Sequence, residues 1–112
     1  MPKVIVPSTL NILGVDHTVR FRRGLISGSG AQGQSCDNLA ELQIDPSLNP
    51  SQQAEVFLHE LLHCCEACLG WRVRKGGSPL MEADVVALGH GLATVFRELQ
   101  VEFDFSAITT MD

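Results

Sequence analysis

The residues whose types and spacing could do chemistry stand together in His59-Glu60-Leu61-Leu62-His63, an H-E-x-x-H pattern. The pattern has a physical basis on a helix. There positions i and i+4 share one face about 6 Å apart along the axis, so two imidazoles can close on one ion at about 2.0–2.1 Å each. Glu60 lies about 100° round from His59, placed to hold a water beside the ion and not the ion itself. The chemistry this implies is metal-assisted hydrolysis. A catalytic zinc site needs a third protein ligand and an open position for water. Glu66, Glu82, Asp84 and His90 are the candidates. Glu66 follows His63 by one turn on the same face, suited to support His63 from behind or to meet solvent. A ligand pattern continuing to Gly at 66 and His at 69 fails, because those residues are Glu66 and Leu69. That leaves a ligand from a later helix. Glu82 and His90 are about 12 Å apart along such a helix and cannot share one ion, while Asp84 points about 200° away from Glu82.

The elements that must carry these residues are legible from period and punctuation. Asp45-Pro46-Ser47-Leu48-Asn49-Pro50-Ser51 is dense in turn and capping residues and launches a helix over 51–69, ended by Gly70. Trp71 to Pro79 reads as a solvated loop carrying Arg72, Arg74 and Lys75, followed by a second helix over 80–99. The first half reads as β. Val4-Ile5-Val6 is a short apolar run, and residues 10–13 and 15–21 form a hairpin around Gly14. His17 falls on the apolar face of the second of these strands and reads as structural. Residues 24–33, rich in Gly and Ser, read as a flexible loop; residues 34–37 and 39–45 read as two more strands. The tail alternates Val101, Phe103 and Phe105 with Glu102 and Asp104, the pattern of a last strand. The expected fold class is α+β: a small N-terminal antiparallel β-sheet followed by two zinc-site helices, as one domain over residues 1–112.

Two segments resemble a known family. Phe57-Leu58-His59-Glu60-Leu61-Leu62-His63 is similar to the first zinc helix of the ImmA/IrrE metallopeptidases, and Glu82-Ala83-Asp84-Val85-Val86-Ala87 resembles the E-A-N-x-[FV]-A stretch that supplies their glutamate ligand. The order of elements also looks like the minigluzincins and small phage-encoded members of this group, over roughly residues 10–99. Asp84 stands where the family often has Asn. The resemblance implies a zincin-like fold of gluzincin type. It implies zinc held by His59, His63 and Glu82, with Glu60 as catalytic base acting on a zinc-bound water. His90 is the candidate donor to the tetrahedral oxyanion. By the same resemblance residues 39–45 would line the cleft and pair with an extended substrate. A terminal segment such as Phe103-Asp104-Phe105-Ser106-Ala107-Ile108 could also lie across it, bringing Asp104 or Asp112 to the ion. The expected activity is that of a small intracellular zinc metallopeptidase whose partner is a peptide or protein substrate. The alternative is a non-catalytic or latent zinc-binding regulatory module of phage or mobile-element origin.

Composition excludes other classes. The chain has 112 residues, 45% hydrophobic and 19% charged, with a net charge of −5. That suits a globular chain and gives no electrostatic reason to expect nucleic acid as a partner. No run of about twenty apolar residues is present to span a membrane. The opening Met1-Pro2-Lys3-Val4-Ile5-Val6-Pro7 lacks the form of a secretory signal, so a cytoplasmic location is expected. Cys36, Cys64, Cys65 and Cys68 then read as reduced thiols in or just under the core.

Overall fold

A computed structural model describes residues 3–36, 39–69 and 82–111. The elements run β1 (Lys3–Ile5), β2 (Thr9–Ile12), β3 (Val15–Arg22), α1 (Leu25–Ser29), β4 (Gly33–Cys36), β5 (Glu41–Ile44), α2 (Pro50–Leu69), α3 (Glu82–Glu98), β6 (Glu102–Asp104) and β7 (Thr109–Met111). The class is α+β. Strands β2, β3, β5 and β4 lie side by side in that order, and β7 pairs with the second half of β3.

The sheet is mixed, not antiparallel as expected. β2–β3 and β4–β5 are antiparallel hairpins, but β3 pairs in parallel with both β5 and β7. The cause is the connection from Arg22 to Glu41. It is long enough to carry the chain back to the start of β3, as parallel neighbours require. That connection also holds α1, one helical turn where a flexible loop was expected; Asp45 Oδ2 accepts from the backbone N–H of Ile26 at 3.0 Å and ties it to the sheet. A separate parallel pair joins β1 to β6.

Period-two alternation sends Val19, Leu42 and Ile44, all 0% exposed, to one face of the sheet. Over that face lies α2, contributing Val56, Phe57, Leu58 and Cys64 to the core. Phe57 packs edge-on against Phe103 and Phe105, and Phe96 of α3 packs on Phe103. The tail segment 103–108 therefore packs into the core through Phe103, Phe105 and Ile108, starts in the β1–β6 pair, and does not lie across a cleft; Asp112 lies outside the described residues. Cys64 is buried, and Cys65 and Cys68 pack against the same core, as expected of subsurface thiols.

The start of α2 falls slightly before the expected Ser51. Asn49 caps it: its Oδ1 accepts from the N–H of Gln52 at 2.9 Å, while Gln52 Oε1 accepts from the N–H of Asn49 at 3.3 Å. This is a reciprocal box with Pro50 in the first helical position, where its missing N–H costs nothing. The expected helix end at Gly70, the loop at 71–79 and the first residues of the second helix lie outside the described residues. None of the described helices is long and apolar enough to cross a membrane.

Candidate metal centre

Helical spacing brings the two histidines of α2 together. Their ring centroids are 4.9 Å apart, edge to face. From α3, Glu82 reaches both: its Oε1 is 2.8 Å from His59 Nε2 and its Oε2 is 3.0 Å from His63 Nε2. Ligand atoms of His59, Glu60 and His63 lie within 4.8 Å of one another. The structure thus gathers His59, Glu60, His63 and Glu82 at one point.

Behind His63 stands Glu66, only 1% exposed, with Oε1 3.2 Å from His63 Nδ1. A carboxylate facing Nδ1 accepts a hydrogen bond from the N–H there, which leaves the Nε2 lone pair facing forward. Forward of it is the Glu82 carboxylate. Two lone-pair donors converge favourably when a proton or a metal ion lies between them. Two imidazole nitrogens and a carboxylate are a donor set that suits zinc. The residues fit the ion that the sequence implied.

Glu60 is 6% exposed. Burial pushes its carboxyl up to about 7, with the charge of Glu82 adding to the rise and His63 opposing it. Two glycines fix the surroundings. A methyl on Gly33 of β4 would lie 2.5 Å from Val56 Cγ1, 2.8 Å from the carbonyl oxygen of Gln43 and 3.2 Å from Glu60 Cγ, so only hydrogen fits there. Gly89 of α3 seats against the backbone of His59, where a methyl would stand 3.4 Å from both Cα and N. That close approach carries Glu82, two turns earlier on the same helix, up to the imidazoles. Neither glycine carries a sequence signal for these contacts, since both partners are distant in the chain.

His90 is placed differently from the ligand group. Its Nδ1 pairs with Glu55 Oε1 at 2.8 Å, near the outer part of a cleft of about 530 Å³ lined also by Gly33, Val56, Glu60 and Val86. Glu55 was not singled out in the sequence; it lies one turn before His59 and could have been found from that spacing. Asp84 is exposed on another side of α3. His17 is buried, its Nδ1 3.0 Å from the carbonyl oxygen of Val15. Residues 39–45, expected to line the cleft and pair with substrate, hold β5, an inner strand between β3 and β4; among the described residues the outer edge beside the cleft is β4.

Protein-family models, curated proteins and solved structures were each compared with the chain, and none matches it.

Proposed function

We propose that the protein is a small zinc-dependent metallopeptidase of gluzincin type, with the zincin-like arrangement of the ImmA/IrrE and minigluzincin group. One observation carries this reading: Glu82 spans the two Nε2 atoms of the H-E-x-x-H helix while Glu60 stands buried beside them. His59, His63 and Glu82 would hold the ion. Zinc, when bound, supplies Lewis acidity that acidifies water and polarises a carbonyl.

The remaining work falls to the chain. Glu60 takes a proton from the attacking water at its carboxylate and returns it to the leaving amine. Its buried setting keeps its proton affinity close to what a base working near neutrality needs. Glu66 holds the His63 ring in one orientation and one tautomer. An extended peptide pairs with β4, the edge strand on this side among the described residues, and the absence of a side chain at Gly33 leaves that strand close to Glu60. His90, oriented by Glu55, stands along the cleft as a donor to substrate.

The competing reading is a zinc-binding module without peptidase activity. Glu82 favours it, because a side chain 66% exposed has little of the described surface beside it to grip a substrate. Wild type and Glu60→Gln, matched for zinc content, separate the two on unfolded protein substrates. Cleavage by the wild type alone supports the peptidase; no cleavage by either supports the module. Metal analysis of Glu82→Ala beside His90→Ala tests the ligand set, and zinc loss in the His90 variant alone would overturn it.

A further inference from the structure

We propose that the outer flank of α3 is a homodimer interface in which two copies pair this helix antiparallel. Leu88, Leu92, Val95 and Leu99 recur at spacings of four, three and four, the period of an apolar seam. They are 46%, 38%, 53% and 63% exposed. Between Val85 and Phe96 the helix carries no Asp, Glu, Lys or Arg. A solvated helix face ordinarily carries charge, and a helix apolar all round belongs in contact on all sides. The side facing α2 is already occupied, by Val85, Gly89 and Ala93. At 100° per residue the seam lies about 90° from that side, on the flank away from Val86 and His90. Covering it leaves the cleft open.

Gly91 adds a second observation. It sits mid-helix, and a methyl there would meet nothing within 4 Å among the described residues. Glycine in a helix interior is costly relative to alanine. Gly89 has a reason in its contact with His59; Gly91 has none within the described residues. It borders the seam, where a missing side chain lets another backbone come close.

The spacing says which occupant fits. Four-three-four reads the same in both directions. A twofold axis passing between Ala93 and Thr94 sets Leu88 of one copy on Leu99 of the other, and Leu92 on Val95. Such self-complementarity is what an isologous contact requires, and the antiparallel arrangement also opposes the two helix dipoles. The four side chains leave roughly 350 Å² of apolar surface per copy, the size of the largest patch on a typical monomer, which is often a functional one. A pair with its rim falls in the class of weaker specific interfaces, below about 1,200 Å². The dimer is thus a weak one, and it does not depend on the zinc reading.

Sedimentation equilibrium of the full chain, from a few to about 300 µM, tests this; a monomer–dimer equilibrium with a Kd in the micromolar range is expected. Leu92→Lys should raise Kd at least about tenfold. Adding Val95→Glu to Leu92→Lys should restore the dimer, because the ammonium at 92 of one copy then faces the carboxylate at 95 of the other. In a parallel pair 92 would face 92 and nothing would be restored. Leu99→Lys, at the exposed helix end, gives the same reading if Leu92→Lys does not fold. A monomeric wild type throughout, or a dimer indifferent to both single variants, overturns the interface. Loss without restoration in the double variant overturns the antiparallel pairing.

Discussion

Glu66 and Glu82 reach His63 from opposite surroundings, and Glu82 touches His59 as well. Glu66 comes from the helix that bears them and is 1% exposed; Glu82 comes from the neighbouring helix with its side chain 66% exposed. The first is held by the core, in place whenever α2 is folded. The second arrives only when α3 is seated against α2. One half of the candidate site is therefore built, and the other half is delivered. Metal affinity and helix packing become linked quantities, and substitutions on the two helices should separate them.

The largest expected effect lies wholly in the built half. Glu60→Gln should lower peptide hydrolysis by about 10³-fold, within the range for loss of a general base, with zinc content by atomic absorption unchanged. Next, competition with a chromophoric chelator should rank the ligands. His63→Ala loses on the order of 10³-fold in zinc affinity and Glu82→Ala on the order of 10²-fold, since the two imidazoles of α2 remain pre-arranged without Glu82. Equal losses would erase the distinction between built and delivered. Glu66→Gln should cost about tenfold, the usual scale for a group that orients a ligand.

Smaller effects appear in stability. Gly33→Ala should destabilise by about 1–3 kcal/mol in urea unfolding, because the methyl meets Val56 and backbone at once. Gly89→Ala, with contacts at 3.4 Å, should change stability by less than about 1 kcal/mol, its tight contact offset by better helix propensity. An effect of comparable size is in pH dependence. Glu60 has its folded carboxyl raised from 4.5 to about 7. Its contribution to stability is therefore full below about 4.5 and is lost as pH rises through about 7. In metal-free protein, Glu60→Gln should flatten that loss and gain roughly 1–2 kcal/mol at about pH 8. Asp45 runs the other way. The backbone N–H of Ile26, then the side chain and N–H of Ser47, hold its carboxyl below the usual range against the opposing cost of burial. Its contribution is lost only as pH falls through that lowered value.

What could be read beforehand divides along the same line. The H-E-x-x-H helix is a local object: spacing puts His59 and His63 on one face whatever surrounds them, and Asn49 to Ser51 mark its start within two residues. Glu66 was placed correctly beside His63 for the same reason. Glu82 needed a resemblance, because spacing alone left it level with His90. Non-local facts escaped altogether. That β3 runs parallel to β5 depends on where the chain goes between Arg22 and Glu41, and a one-turn helix bridged by Asp45 has no period to detect. The fit of Gly33 against Glu60, and of Gly89 against His59, depends on partners far away in sequence. The cleft edge moved from 39–45 to β4 because strand order, unlike strand existence, is not written in alternation.

The two parallel pairings of the tail have a consequence for how the chain is made. β6 joins β1 and β7 joins β3, so residues 102–111 complete sheets begun within the first twenty-two. Synthesis proceeds from the N-terminus, and these pairings wait until the last of those residues has left the ribosome. Contacts between such distant positions also form slowly once the chain is free. Phe103 and Phe105, which pack on the helix of the two histidines, arrive with the same late segment. The packing behind the two histidines is therefore completed only once residues 102–111 have emerged and paired.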